Sequence, residues 1–263
     1  MPEFQTRTKI DLAIPLASFL LCIAFFTRIP LPTAFGKKIS PTISLKDATH
    51  FFPIVGLVIG ILTGIVWTIT ASVLPSTVAA GLAIGFGCLL TGALHEDGLA
   101  DCADGLGATS NREKALDIMR DSRIGTYGAL ALVLSVGLRW TALASLSPVQ
   151  GFAALIIAHT VSRSAMALAM RFSKYARQEG LGKMVEGKVS NSDAFTALAT
   201  PLLFAIVLAQ ITGFAASFFA YIAAVAFLLI LKKRLGGFTG DGLGAMQQTA
   251  EITALIILAG IWA

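Results

Sequence analysis

The run AFTALATPLLFAIVLAQITGFAASFFAYIAAVAFLLIL, residues 194–231, holds no charged side chain and far exceeds the about 20 apolar residues that cross a bilayer as helix. One crossing cannot use it up. Thr212-Gly213 is the turn signal inside it, so two helices are expected, 194–211 and 213–231. Outward from this run, five further apolar stretches read as spans: 51–74, 77–94, 126–146, 149–170 and 245–263. In lipid the backbone has to satisfy its own hydrogen bonds, which leaves helices or closed barrels. Alternating strand patterns are absent, so the fold class expected is an all-α integral membrane protein of about seven transmembrane helices.

Composition agrees. Of 263 residues 56% are hydrophobic and 13% charged, and mean hydropathy is +0.79. Soluble domains carry about 25% charged residues, so an ordinary soluble enzyme and a disordered chain are both excluded. The chain reads as one polytopic domain, 1–263. The net charge of +5 would suit nucleic acid, but the basic residues sit between apolar spans, so no nucleic-acid partner is expected. Membrane lipid is the expected surroundings, and self-association is left open. Cys22, Cys88 and Cys102 form no metal-binding or redox motif and read as small buried hydrophobes.

The polar connections fall into two sets. Pro75-Ser76, Ser147-Pro148 and Thr212 are short and uncharged. The N-terminal segment to His50 and the segments 95–125, 171–193 and 232–244 are long and hold eighteen of the twenty lysines and arginines. The positive-inside rule therefore puts every long segment in the cytoplasm. By the same rule the apolar stretch 12–27 should not cross, since Arg7 and Lys9 would face away from Lys37 and Lys38. An interfacial or re-entrant helix fits it better. No removable signal peptide is expected at this acidic, mixed N-terminus.

The chemistry is concentrated in the long segments. In LHEDGLADCADGLGA, residues 94–108, Asp97, Asp101 and Asp104 stand at i, i+4 and i+7, within about 60° on one helix face. Like charges so placed repel, and a divalent cation removes the conflict; oxygen ligands alone suit Mg²⁺ or Mn²⁺. The alternative is a solvated acidic face. Glu96 points about 100° away from Asp97 and is the weaker candidate for a ligand. Arg120 and Arg123 flank Asp121, and such forked donors match phosphate oxygens. Metal-holding acids followed by arginines suit a diphosphate substrate, and membrane anchoring is the lesser alternative for the two arginines. His95, beside the acids, is a candidate for proton transfer.

Five glycines crowd residues 236–244 around Asp241, with Gly240 beside it, and a helix follows; a glycine-rich turn entering a helix N-terminus presents backbone N–H groups to an anion. No Walker sequence is present. Within the spans Arg139, His159, Arg163 and Glu251 are costly in lipid; Arg163 is expected to pair with Glu251, and His159 to be a hydrogen-bonded core residue.

HEDGLADCADG, IMRDSRIGTYG, YARQEGLGK and LGGFTGDGLGA, with FFTRIPLP and FFPIVGLVIG ahead of them, together resemble the cobalamin synthase family over essentially the whole chain. The resemblance implies a Mg²⁺-dependent transferase of the prokaryotic inner membrane. It would join adenosylcobinamide-GDP to α-ribazole or its 5′-phosphate, with release of GMP. It implies catalytic roles for His95, Asp97, Asp101, Asp104, Arg120 and Arg123, metal binding by the three aspartates, and substrate contacts from Asp121, Lys183, Gly240 and Asp241. The aspartate spacing departs from that of CDP-alcohol phosphotransferases, the competing enzyme class. A carrier of an anionic solute past Arg139, Arg163 and Glu251 is the competing class outside enzymes.

Overall fold

In a computed structural model, residues 13–31, 44–177 and 189–263 are described. They form α1 (Ala13–Phe26), a 3₁₀ helix (Leu45–Phe51), α2 (Phe52–Ala71), α3 (Ser76–Thr91), α4 (Leu94–Ala108), α5 (Arg112–Ile118), α6 (Thr126–Ala144), α7 (Pro148–Phe172), α8 (Asn191–Leu235) and α9 (Gly240–Trp262). Among the described residues there is no strand, only one isolated bridge between Tyr175 and Phe238. The chain is an all-helical, multi-pass membrane protein.

The axis of the bundle is α7. Its apolar window is 89% buried, and α2, α8 and α9 pack around it. On α2 the glycines 56, 60 and 64 recur every fourth residue. A Cβ on Gly56 would strike the His159 carbonyl, and one on Gly60 would lie 2.7 Å from the Ile156 Cα. Small residues at this spacing let two helix backbones touch, which is how helices gain packing energy where lipid supplies no hydrophobic drive. Trp67 closes the far end of this pair by donating its Nε1–H to the Pro148 carbonyl, 3.0 Å away.

Five helical stretches are long and apolar enough to cross a membrane: Leu45–Ala71, Thr126–Ala144, Pro148–Phe172, Asn191–Leu235 and Gly240–Trp262. The bent pair α3 and α4 makes six if it counts as one span. The expected count of seven separate spans is not reproduced, and the difference lies in two places. The span expected at 77–94 stops at Thr91, where Gly92 (φ +65°) and Ala93 (φ +53°) turn the chain and α4 leaves at 89°. The second place is the long run 194–231, which lies within the single 45-residue α8. That helix breaks at Gln210 (φ +49°, ψ −129°) and folds back there. Ser164 touches both limbs, donating to the Ala197 carbonyl at 2.6 Å and meeting the Tyr221 hydroxyl at 2.7 Å. Residues 24 apart on one straight helix would be about 36 Å apart. The turn expected at Thr212-Gly213 is thus real but centred two residues earlier, and Gly213 is where the limbs meet against the Ala205 carbonyl.

The helix expected at 12–27 is α1, too short to be a span by the same measure. It packs on the 3₁₀ helix and α2 through Phe19 on Phe51 and Phe26 on Phe52, with ring centroids 5.8 and 4.8 Å apart. Just beyond it, the Arg28 amide donates to the Leu90 carbonyl at 2.7 Å, which ties this segment to the α3–α4 elbow. The segment expected as a cytoplasmic loop over 95–125 is mostly helix, α4 and α5, lying across the end of the bundle.

Candidate active site at the rim of the bundle

α4 starts from the elbow and packs on α9 and α6, with its acids spread around it. Rotation of about 100° per residue sends adjacent positions to different surroundings. Asp97 is exposed, Asp101 half-buried and Asp104 buried. The three expected ligands therefore share a helix but not one environment. Among the described residues, no three histidine, cysteine or acidic side chains gather closely enough to hold a metal ion.

Asp104 is engaged elsewhere. Its carboxylate accepts from the Gly125 N–H at 2.7 Å and the Gly128 N–H at 2.9 Å, at the first turn of α6. That turn has no cap from its own N-cap residue, Gly125, so Asp104 supplies it from another helix. A negative group there also meets the positive end of the α6 dipole. The site for an anion at this helix terminus is taken by the protein's own carboxylate.

Asp101 looks instead toward Asp97 and Asp241. Burial first, and then the negative charges of Asp97 and Asp241, push its carboxyl up to about 6, against the pull of Arg177. α4 and α9 come this close because Gly98 faces the Asp241 backbone, 2.9 Å from where a Cβ would stand, and Gly244 faces His95. Asp241 accepts from Arg177 Nη2 at 2.8 Å. Arg177 is held in place by the Tyr175–Phe238 bridge: Phe238 N–H donates to Lys174 O at 3.0 Å, and Ala176 N–H to Phe238 O at 2.8 Å. Its Nε is buried and has no partner among the described residues. Arg112 braces the same loops by donating to Leu235 O and Ala176 O, and Arg234 does so by donating to Leu106 O and Thr109 O.

The glycine-rich turn is tight where expected. Gly236 ends α8 in the left-handed region (φ +79°), and Thr239 caps α9 by accepting from Gly242 N–H at 2.9 Å. Gly240 has open space around it. Arg120 is exposed. Arg123 lies against Asp121, donating from Nε and Nη2 at 3.1 and 2.6 Å, and holds that carboxyl down at about 2. Asp104, Asp121, Arg123 and Tyr127 border an open cleft of about 520 Å³. Lys183 lies outside the described residues.

His95 is only 2% exposed. Its ring stacks on Phe26 at 5.7 Å, its Nε2 has no partner among the described residues, and burial keeps the imidazole neutral. The role expected for it in proton transfer needs solvent or substrate contact, which this burial does not provide.

Beneath the rim lies a second polar group that the sequence only half disclosed. Glu96, adjacent to Asp97, turns inward and is 7% exposed. Arg139 Nη1 lies 2.9 Å from Glu96 Oε1 and 3.0 Å from Glu251 Oε1. Glu251 Oε2 lies 3.0 Å from His159 Nδ1, 3.7 Å from Arg163 Nη1 and 2.6 Å from Gln247 Nε2. The expected Arg163–Glu251 pair thus exists as the long edge of a larger cluster, whose short edges run to Arg139 and His159. The missed signal was charge balance: two arginines in spans require two acids, and Glu96 was the acid one residue off the expected metal face.

The donor set at the rim, carboxylates without sulfur or imidazole, fits a hard divalent cation. Mg²⁺ keeps several waters and binds through one or two carboxylates plus substrate phosphates, so Asp97 with Asp101 meets its needs without a third protein ligand.

Comparison with known proteins bears on the same blocks. The family model described as Cobalamin-5-phosphate synthase matches residues 18–259. The chain is 38% identical over 245 residues to proteins named adenosylcobinamide-GDP ribazoletransferase from Shewanella sp. (strain W3-18-1) and Shewanella baltica (strain OS155). Each match covers 91% of this chain and 92% of the relative. No solved structure matches it significantly.

Proposed function

The chain belongs to the cobalamin-5-phosphate synthase family, and from that membership we propose that the rim of α4 and α9 is where its two substrates are joined. It is a transferase of cobalamin assembly that joins adenosylcobinamide-GDP to α-ribazole or its 5′-phosphate and releases GMP. The observation that carries the site is convergence. Asp97 and Asp101 come from one sequence block, Asp241 from a second and Arg177 from a third, and all four charges act on one another at the α4–α9 contact.

In this reading Asp97 and Asp101 are the residues that would hold Mg²⁺ where the diphosphate of the activated corrinoid binds. When bound, the ion would neutralise phosphate charge and favour departure of GMP. Arg177, anchored on Asp241, turns its remaining N–H donors to the phosphate oxygens. Arg120 and Arg123 add cationic donors at the edge, and the cleft beside Asp121 receives substrate. A ribazole hydroxyl attacks the phosphorus on the corrinoid side, the bond from that phosphorus to the GMP oxygen breaks, and the hydroxyl proton passes to a rim carboxylate. Asp104 serves the site indirectly, by fixing α6 to α4, and His95 by packing under the acids. Assignment of the rim to the cytoplasmic side of the inner membrane rests on the skew of lysines and arginines.

The test is GMP release by the protein in lipid nanodiscs, supplied with adenosylcobinamide-GDP, α-ribazole or its phosphate, and Mg²⁺. Turnover lost on chelation and lost in Asp101→Asn supports the reading. Full activity in excess chelator, or in Asp101→Asn, removes the metal assignment; no release of GMP removes the reaction.

A further inference from the structure

We propose that Arg139 is a positioning residue for this site, its guanidinium setting the rotation and register of the two helices that carry the acids, α4 and α9. The proposal rests on the rim acids holding a divalent cation.

Arg139 stands on α6 and touches neither the rim nor the cleft. Its Nη1 bridges Glu96 of α4 and Glu251 of α9 at 2.9 and 3.0 Å, and all three residues are buried. Glu96 and Asp97 are neighbours, so whatever fixes the first fixes the direction of the second. A turn of α4 by one residue would bring Glu96 to the rim and bury Asp97.

The closest α4–α9 approaches are glycine positions, Gly98 against the Asp241 backbone and Gly244 against the His95 backbone, with Cys102 of α4 and Ala245 of α9 in an apolar cluster beside them. Small residues set the distance between the helices, and polar ties that fix rotation meet at Glu96. Gln248 Nε2 of α9 donates to Glu96 Oε1 at 3.3 Å, and Ser135 Oγ of α6 donates to Gln248 Oε1 at 2.8 Å. Asp104 fastens the other end of α4 to the first turn of α6. α4 is therefore held to α6 at both ends, with Asp97 and Asp101 between the fastenings. Buried ion clusters are weak sources of net stability and good sources of specific geometry, and this one is placed where geometry is needed.

The test uses the full-length protein in nanodiscs and two variants. Arg139→Lys keeps the charge but replaces the fork with a point donor on a different stem. Glu96→Gln combined with Arg139→Gln removes one charge of each sign and leaves Glu251 with His159 and Arg163. Mn²⁺ binding is read by electron paramagnetic resonance without substrate, and kcat and KM for GMP release are read separately. Removal of an outer partner of a metal ligand costs about 10–100-fold in metal affinity or activity. The double variant should show a loss of that size in Mn²⁺ affinity and in kcat, with KM for adenosylcobinamide-GDP moving less; Arg139→Lys should fall between it and the parent. A folded double variant with parental Mn²⁺ affinity overturns the proposal. If the double variant does not fold, unchanged Mn²⁺ affinity in Arg139→Lys overturns it. A parent that binds Mn²⁺ but releases no GMP leaves the Arg139 comparison decisive while ending the proposed reaction. A parent that binds no Mn²⁺, or binds it equally well as Asp101→Asn, ends the metal site and Arg139's part in it.

Discussion

Glu96 and Asp97 are adjacent acids on one helix, and they have opposite surroundings. Glu96 faces into the bundle and gives its charge to Arg139, in a cluster completed by Glu251, His159 and Arg163. Asp97 faces out, toward Asp101 and Asp241, where acids outnumber the single arginine, Arg177. The inner group balances its formal charges, with Glu96 Oε2, Arg139 Nη2 and Arg163 Nε left without a partner among the described residues; the outer group carries excess negative charge. In a low-dielectric interior an unbalanced charge is costly, so the cluster that persists there has to balance its own charges. At the rim water can carry the imbalance. The contrast separates acids enclosed by the bundle from acids open to solvent and, in the proposed function, to a cation and a phosphate.

The sharpest way to break this contrast is Arg139→Ala, which leaves two buried carboxylates short of their shared cation. Loss of one partner of a buried pair costs about 3–5 kcal/mol, so thermal unfolding in detergent should shift down by many degrees or the protein should fail to accumulate. An unchanged melting temperature would place Glu96 with the outer group. Asp97→Asn and Asp101→Asn should do the reverse: GMP release falls by about tenfold or more while the melting temperature stays near that of the parent. Added Mg²⁺ should raise the melting temperature of the parent and leave that of Asp101→Asn unmoved.

Asp104 lies between the two groups in the chain and tests the boundary. Asp104→Ala removes two charge-assisted bonds to the first turn of α6 and should cost about 1–3 kcal/mol, with Asn restoring part. If Mn²⁺ affinity falls instead with stability intact, Asp104 belongs to the metal after all. The smallest effect is expected at Asp121. Its carboxyl is drawn down to about 2 by Arg123, so whatever the pair adds is present above the ordinary carboxylate value of 3.8 and is lost only as pH falls through about 2. Carboxyl NMR should find Asp121 charged at pH 3, and Asp121→Asn should not move the melting temperature measurably.

How far these groups are legible in the sequence differs between them. The apolar runs announce helices in a membrane because lipid permits little else. The acids at 97, 101 and 104 share a face by simple rotation, yet that face is crossed by two neighbours, α6 and α9, which divide it among solvent, Asp241 and the α6 terminus. Arg177 was within a quoted block but had no visible partner until the Tyr175–Phe238 bridge brought it to Asp241. His95 looked available for proton transfer because nothing local shows that Phe26, nearly seventy positions away, lies on its ring. Arg139 and Glu251 were marked as costly, but choosing among partners on four helices needs their spacing in three dimensions.

The order of amino acids by itself determined that this chain lives in a bilayer as helices, which long segments carry its charge and which motifs mark its chemistry. These follow from hydropathy, from charge and from backbone hydrogen bonding, all of them local. The tertiary structure alone decided that Glu96 turns into the bundle and Asp97 out of it, that Asp104 caps a helix, and that the long apolar run turns back at Gln210. Those outcomes depend on which surfaces meet, and a helix exposes every direction around its axis until its neighbours arrive.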